Sequence, residues 1–148
     1  MKSSYFVART LLTARPEIDS ICESVKRSNY ANIIRSQFSS HDTHDFAESI
    51  LDKVFQMQVL HNLGIKTDQV IECLPKELSD VLKLHFLEKQ SISQIATLTN
   101  KDRKQVYRTL DKALGIFAFA IDKRGVDNLY FEKLLSTNKW IRLISSRI

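Results

Sequence analysis

Arg103, Lys104, Tyr107, Arg108 and Lys112 fall within ten positions, and their side chains suit a polyanion. At helical spacing they gather on the early turns of one helix face. Arg and Lys there can bind phosphate oxygens or the O6/N7 edge of guanine. Tyr107 can contact a phosphate or a thymine methyl. An ordinary solvated basic helix shows the same composition, so the reading depends on what presents the face.

Other residues of chemical interest are weaker. Asp45, Glu48 and Asp52 share a helix face at i, i+3, i+7 spacing. Such carboxylates can bind a metal or do acid–base work, but a solvated acidic face is the commoner outcome. His41 and His44 lie beside Asp42 and Asp45, without two further thiolate or imidazole ligands at zinc spacing. Cys22 and Cys73 are far apart and flanked by Ile or Leu, which predicts buried free thiols. There is no phosphate-cradling glycine loop and no Ser/His/Asp arrangement that spacing supports. The expectation is a non-enzyme with no cofactor and no metal.

The basic set is well presented. Ser91 with Gln94 three residues later forms a capping-box pattern. Ile92, Ile95 and Leu98 follow at inward spacing, and the small Ala96 suits a close helix crossing. Thr99, Asn100 and Lys101 form a turn in which Asn100 tolerates positive φ. Asp102 with Gln105 is a second capping box, opening a helix whose apolar stripe is Val106, Leu110, Ala113, Leu114, Phe117 and Ile121. Helix, turn and basic second helix predict a helix-turn-helix that lays the second helix in the major groove of double-stranded DNA. Its expected DNA contacts are Ser91, Lys101, Arg103, Lys104, Gln105, Tyr107, Arg108 and Lys112.

From Leu74 to Leu114 the chain resembles region 4 of bacterial sigma factors. The likeness rests on Leu74-Pro75, the Val81/Leu82/Leu84/Phe86 helix, Ser91, Ile95-Ala96, Val106 and Leu110. The trailing ALGIFAFAI, Ala113 to Ile121, is similar to stand-alone phage and mobile-element regulators of the ArpU and RinA type. The turn departs from the sigma pattern, with Thr99, Asn100 and Lys101 where Leu-Gly and an apolar residue are usual. The N-terminal half shows no sigma region 2. The resemblance therefore implies a region-4-like transcription regulator rather than a complete sigma factor, acting on phage or mobile-element promoters, with RNA polymerase as a possible protein partner. The alternative is a polymerase- or sigma-binding module that leaves DNA alone.

Charge distribution points the same way. The 148 residues carry a net charge of +5. Residues 1–90 hold 11 Lys/Arg against 12 Asp/Glu, a balance of −1, whereas 91–148 hold 11 against 5, a balance of +6. A basic C-terminal part is the footprint of a polyanion partner. No stretch approaches a membrane span of roughly 20 apolar residues, and the first 17 residues read as an amphipathic helix rather than a signal peptide. A cytoplasmic location is expected.

With three glycines and two prolines, the chain reads as all-α: an N-terminal helical lobe (1–65), a helix-turn-helix domain (66–125) and a two-helix C-terminal extension (126–148). Pro16 predicts a first helix ending near Arg15. A second follows through Ile18, Ile21, Cys22 and Val25. Tyr30 to Phe38 predicts a third, with Ile33, Ile34 and Phe38 buried. A long helix from Thr43 to Leu63 should turn Phe46, Ile50, Leu51, Val54, Met57 and Leu60 inward and end at Gly64. A short helix spans Asp68 to Cys73, and Pro75 opens the next. Gly125 ends the basic helix, and helices near Asn128–Leu135 and Lys139–Ser146 close the chain. The apolar face of the long helix can pack inside the lobe or on a second copy as a homodimer; the first arrangement is the one expected. His85 should be a packed or rim histidine, and Trp140 should sit on a docking helix.

Overall fold

The computed structural model describes residues 3–36 and 43–148, excluding the side chains of Ser36, Thr43 and His44. Phe38 and His41 lie outside the described residues. Every regular element among those described is helical, with no strand. The helices are α1 (Ser4–Ser36), α2 (Thr43–Cys73), α3 (Lys76–Leu82), α4 (Ile92–Thr99), α5 (Arg103–Lys123), α6 (Asn128–Thr137) and α7 (Lys139–Ser145), with a π-helical turn (Lys83–Leu87) prolonging α3.

The N-terminal helices differ from the sequence expectation. The three helices expected across residues 4–36 are one helix of 33 residues, with Pro16 inside it. Proline removes one N–H and crowds the carbonyl four residues back. Here tertiary burial overrides that cost, since Leu11, Leu12, Ala14 and Ile18 around Pro16 are nearly fully buried. Likewise, α2 does not stop at Gly64 but runs on to Cys73, 31 residues in all from Thr43. Gly64 lies where α2 crosses α1: a Cβ there would stand 3.5 Å from Ile18 Cδ1 and 3.7 Å from Arg15 Cδ. The two helices run antiparallel. Arg15 reaches Asp68 through a bidentate pair, Nε–Oδ1 2.8 Å and Nη2–Oδ2 2.9 Å. Cys22 Sγ lies 3.9 Å from the Met57 carbonyl. The Asp68 hydrogen bonds hold the Arg15 guanidinium above its ordinary pKa, with a smaller contribution from Asp19.

Several residues expected inside are outside. Ile33, Ile34 and Leu51 are exposed, and Phe46, Ile50, Val54 and Met57 are only half-buried, leaving Leu60 as the buried member of that set. Cys73 is exposed, unlike the buried Cys22, and its Sγ accepts from Arg124 Nη2 at 3.6 Å.

One core joins the helices. Leu11 and Leu12 from α1, Leu63 and Ile71 from α2, Leu82 from α3, Ile95 from α4, Phe117 and Ile121 from α5, Phe131 from α6 and Ile141 from α7 belong to a single buried cluster. α5 touches α1, α2, α3 and α4. The π-helical turn shows its register in the 2.9 Å bond from Glu88 N to Lys83 O, five residues back. His85 Nδ1 lies 3.0 Å from Gln90 O in the bend that follows, which places this histidine at a half-buried rim.

The chain closes through caps. Arg124 and Gly125, the latter at φ 94°, end α5. Asp127 Oδ1 accepts from Tyr130 N to start α6. The buried Asn138 caps α7 by accepting from Ile141 N, while its Nδ2 donates to the Gln56 carbonyl of α2. No helix among the described residues is long and apolar enough to cross a membrane.

Candidate functional site

The segment from Ser91 to Lys123 is organised by its own ends. Ser91 Oγ accepts from Gln94 N at 3.1 Å, and Gln94 Oε1 accepts from Ser91 N at 2.8 Å. Asn100 sits at φ 55°, ψ 40°, the left-handed conformation that reverses the chain after α4. Asp102 Oδ1 then accepts from Gln105 N at 2.8 Å, and Gln105 Oε1 accepts from Asp102 N at 3.3 Å. Both capping boxes are formed as the sequence predicts.

Packing sets the orientation of α5. Val106, Leu110, Ala113, Leu114, Phe117 and Ile121 are all buried, as their spacing predicts. Ile95 of α4 is fully buried and Ile92 half-buried, whereas Leu98, expected inward, is 65% exposed. Leu98 lies in the last turn of α4, just before the Asn100 reversal, and is exposed with Thr97 and Thr99.

With its apolar stripe inward, α5 turns Arg103, Lys104, Tyr107, Arg108 and Lys112 to solvent. Tyr107 is 50% exposed. Among the described residues no carboxylate stands within ion-pair distance of Arg103, Lys104, Arg108 or Lys112. The first turn of α5 holds two cations and no acid. The capping carboxylate of Asp102 suits the positive end of the helix dipole, whereas Arg103 and Lys104 oppose it by about 0.3–1 kcal/mol per charge at the surface. A bound polyanion would offset this cost.

The other three expected contacts, Ser91, Lys101 and Gln105, are also exposed and take part in bonds within the chain. Ser91 and Gln105 use their side chains to close helix starts. Lys101 Nζ pairs with Glu77 Oε1 of α3 at 2.6 Å. The Lys101 hydrogen bond, and then its charge, hold the Glu77 carboxyl below the usual glutamate range, with Lys112 adding a smaller pull. The pair spans a groove of about 420 Å³ floored by Val81, Leu84 and Val106. Glu77 had no sequence signal as a partner, because 24 residues separate it from Lys101.

Asp45, Glu48 and Asp52 are exposed on α2, and Asp52 Oδ2 accepts from Gln56 Nε2. No group of three His, Cys, Asp or Glu side chains among the described residues converges as metal ligands.

Set against protein-family models, curated proteins and solved structures, the chain matches none of them.

Proposed function

We propose that α4, the Asn100 turn and α5 act as a helix-turn-helix of the sigma region 4 kind, and that the chain is a sequence-specific DNA-binding transcription regulator. The observation that carries this reading is the first half of α5, where Arg103, Lys104, Tyr107, Arg108 and Lys112 are exposed together while the opposite face is buried. In this reading Arg108, one turn in, reaches a base edge and Lys112 a phosphate. Ser91 and Gln105 contribute by fixing the helix starts, and Lys101 by tying the turn to α3.

A gel-shift selection against random duplexes, followed by the Arg103→Ala/Lys104→Ala/Arg108→Ala variant, tests it. Arg108→Ala should weaken binding to the selected site by about 1–3 kcal/mol and relax its sequence preference. Lys112→Ala should weaken all duplexes evenly and flatten the salt dependence. Wild-type affinity in the folded triple variant overturns the reading.

A second reading has its own observation. Tyr30, Ile34, Leu51 and Phe55 are exposed on the α1–α2 hairpin, Leu51 at 68% and Phe55 at 65%. A polymerase- or sigma-binding module that does not touch DNA would use such a surface. It is favoured if Leu51→Glu/Phe55→Glu abolishes promoter regulation while the triple α5 variant preserves it.

A further inference from the structure

A second groove, built from helices other than α4 and α5, holds unbalanced positive charge. It has a volume of about 380 Å³ and lies between α1, α2 and α7. Ser20, Ser24 and Ser28 recur every four residues along one stripe of α1 and line one wall with Ile21 and Val25. Lys53 of α2 and Lys139 of α7 stand over it, and Trp140 completes it. No carboxylate lines this groove. By contrast, the α3 groove sets Glu77 and Asp80 against Lys76 and Lys101, and the groove beside α6 sets Asp52 against Lys133. Carboxylates of α1 close in sequence are already engaged: Glu17 with Arg147 at 3.3 Å, and Glu23 with Lys26 at 3.7 Å. Neither Lys53 nor Lys139 has a carboxylate within ion-pair distance among the described residues. Lys139 Nζ instead rests 5.0 Å from the centroid of the Trp140 ring.

We infer that this groove binds a nucleoside monophosphate. The two ammonium groups and a hydroxyl of the serine stripe, which runs about 12 Å along α1 from Ser20 to Ser28, give a phosphate dianion charge and hydrogen-bond donors. The indole, with Ile21 and Val25, gives a flat base an apolar surface to lie on. The volume falls within the ordinary range for a small-ligand site. Phosphate entry draws Lys139 toward the anion and uncovers the ring for the base. The site shares no residue with the α5 surface, so this inference does not rest on the DNA-binding reading.

Trp140 is the single tryptophan of the chain, so its emission reports on the groove directly. The full chain is titrated with adenosine monophosphate, inorganic phosphate and adenosine, each at fixed ionic strength. The monophosphate should shift Trp140 emission at concentrations about tenfold lower than either part alone. Lys53→Gln/Lys139→Gln should weaken that response by about tenfold or more, with an unchanged melting temperature. Ser24→Glu, at an exposed position, keeps the test alive if the double variant misfolds, because it sets a carboxylate against the phosphate and should weaken the response likewise. Arg103→Ala/Lys104→Ala/Arg108→Ala should leave it unchanged. Adenosine matching the monophosphate, or a wild-type response in both folded groove variants, overturns the inference.

Discussion

The α4–α5 segment and the α1–α2 hairpin are both helical, yet they are specified on different length scales. Within α4–α5, each helix start is closed by a side chain three residues away: Ser91 with Gln94, Asp102 with Gln105. The reversal between them is a single left-handed Asn100. The hairpin ignores its local signals. α1 runs through Pro16 and α2 through Gly64, and contacts between residues more than forty positions apart hold them there, Arg15 with Asp68 among them. The starts of α4 and α5 are closed by caps, which satisfy backbone N–H groups that have no partner within the helix. Long helices can override a poor residue when neighbouring turns are buried.

The largest effect expected from breaking this contrast is in the core that both regions share. Phe117→Ala should destabilise the chain by about 3–5 kcal/mol, because Phe117 is fully buried. Phe55→Ala, at 65% exposure on the hairpin, should stay within about 0.5 kcal/mol. Chemical denaturation of the two variants side by side measures both, and equal losses would mean that the distal hairpin is packed.

A smaller effect sharpens the hairpin half of the contrast. Pro16→Ala restores an N–H inside a continuous helix and relieves the carbonyl of Leu12, so it should stabilise by about 1–3 kcal/mol. If α1 were instead two helices broken at Arg15, the same change would be neutral or destabilising. Thermal unfolding separates the two outcomes.

The smallest expected effect is at Gly64. A methyl there meets Ile18 at 3.5 and 3.6 Å, ordinary contact distances, and an alanine suits a helix interior better. Gly64→Ala should stabilise by about 0.5–1 kcal/mol. A loss of stability would point to the positive-φ helix end that the sequence suggests.

These positions also show what was readable beforehand. The all-helical class, both capping boxes, Asn100, the α5 stripe, Gly125 and the two closing helices were legible, since each depends on residues within a turn or two. Pro16 and Gly64 were misread because their surroundings are supplied from across the chain. Ile33, Ile34 and Leu51 have the hydrophobicity of core residues yet are exposed, and a sequence does not say where its core ends. Leu98 fits the α4 inward spacing but lies in its exposed last turn, next to the Asn100 reversal. In the candidate site, the exposed cations were legible from the spacing of their apolar neighbours. The pairing of Lys101 with Glu77, and the groove joining Lys53 to Lys139, were not, because each joins helices far apart in sequence.

α5 spans 21 residues, about 31 Å at 1.5 Å per residue, and is continuous from its exposed first turn to its buried last ones. There is no joint between the surface that meets solvent and the rod at the centre of the fold. The aim of Arg103 and Arg108 is thus inherited from the seating of Phe117 and Ile121 against the other helices. A core substitution that rolls or slides the rod re-aims the basic face even if it leaves stability untouched. The interior of this chain and whatever α5 touches are bound to evolve together.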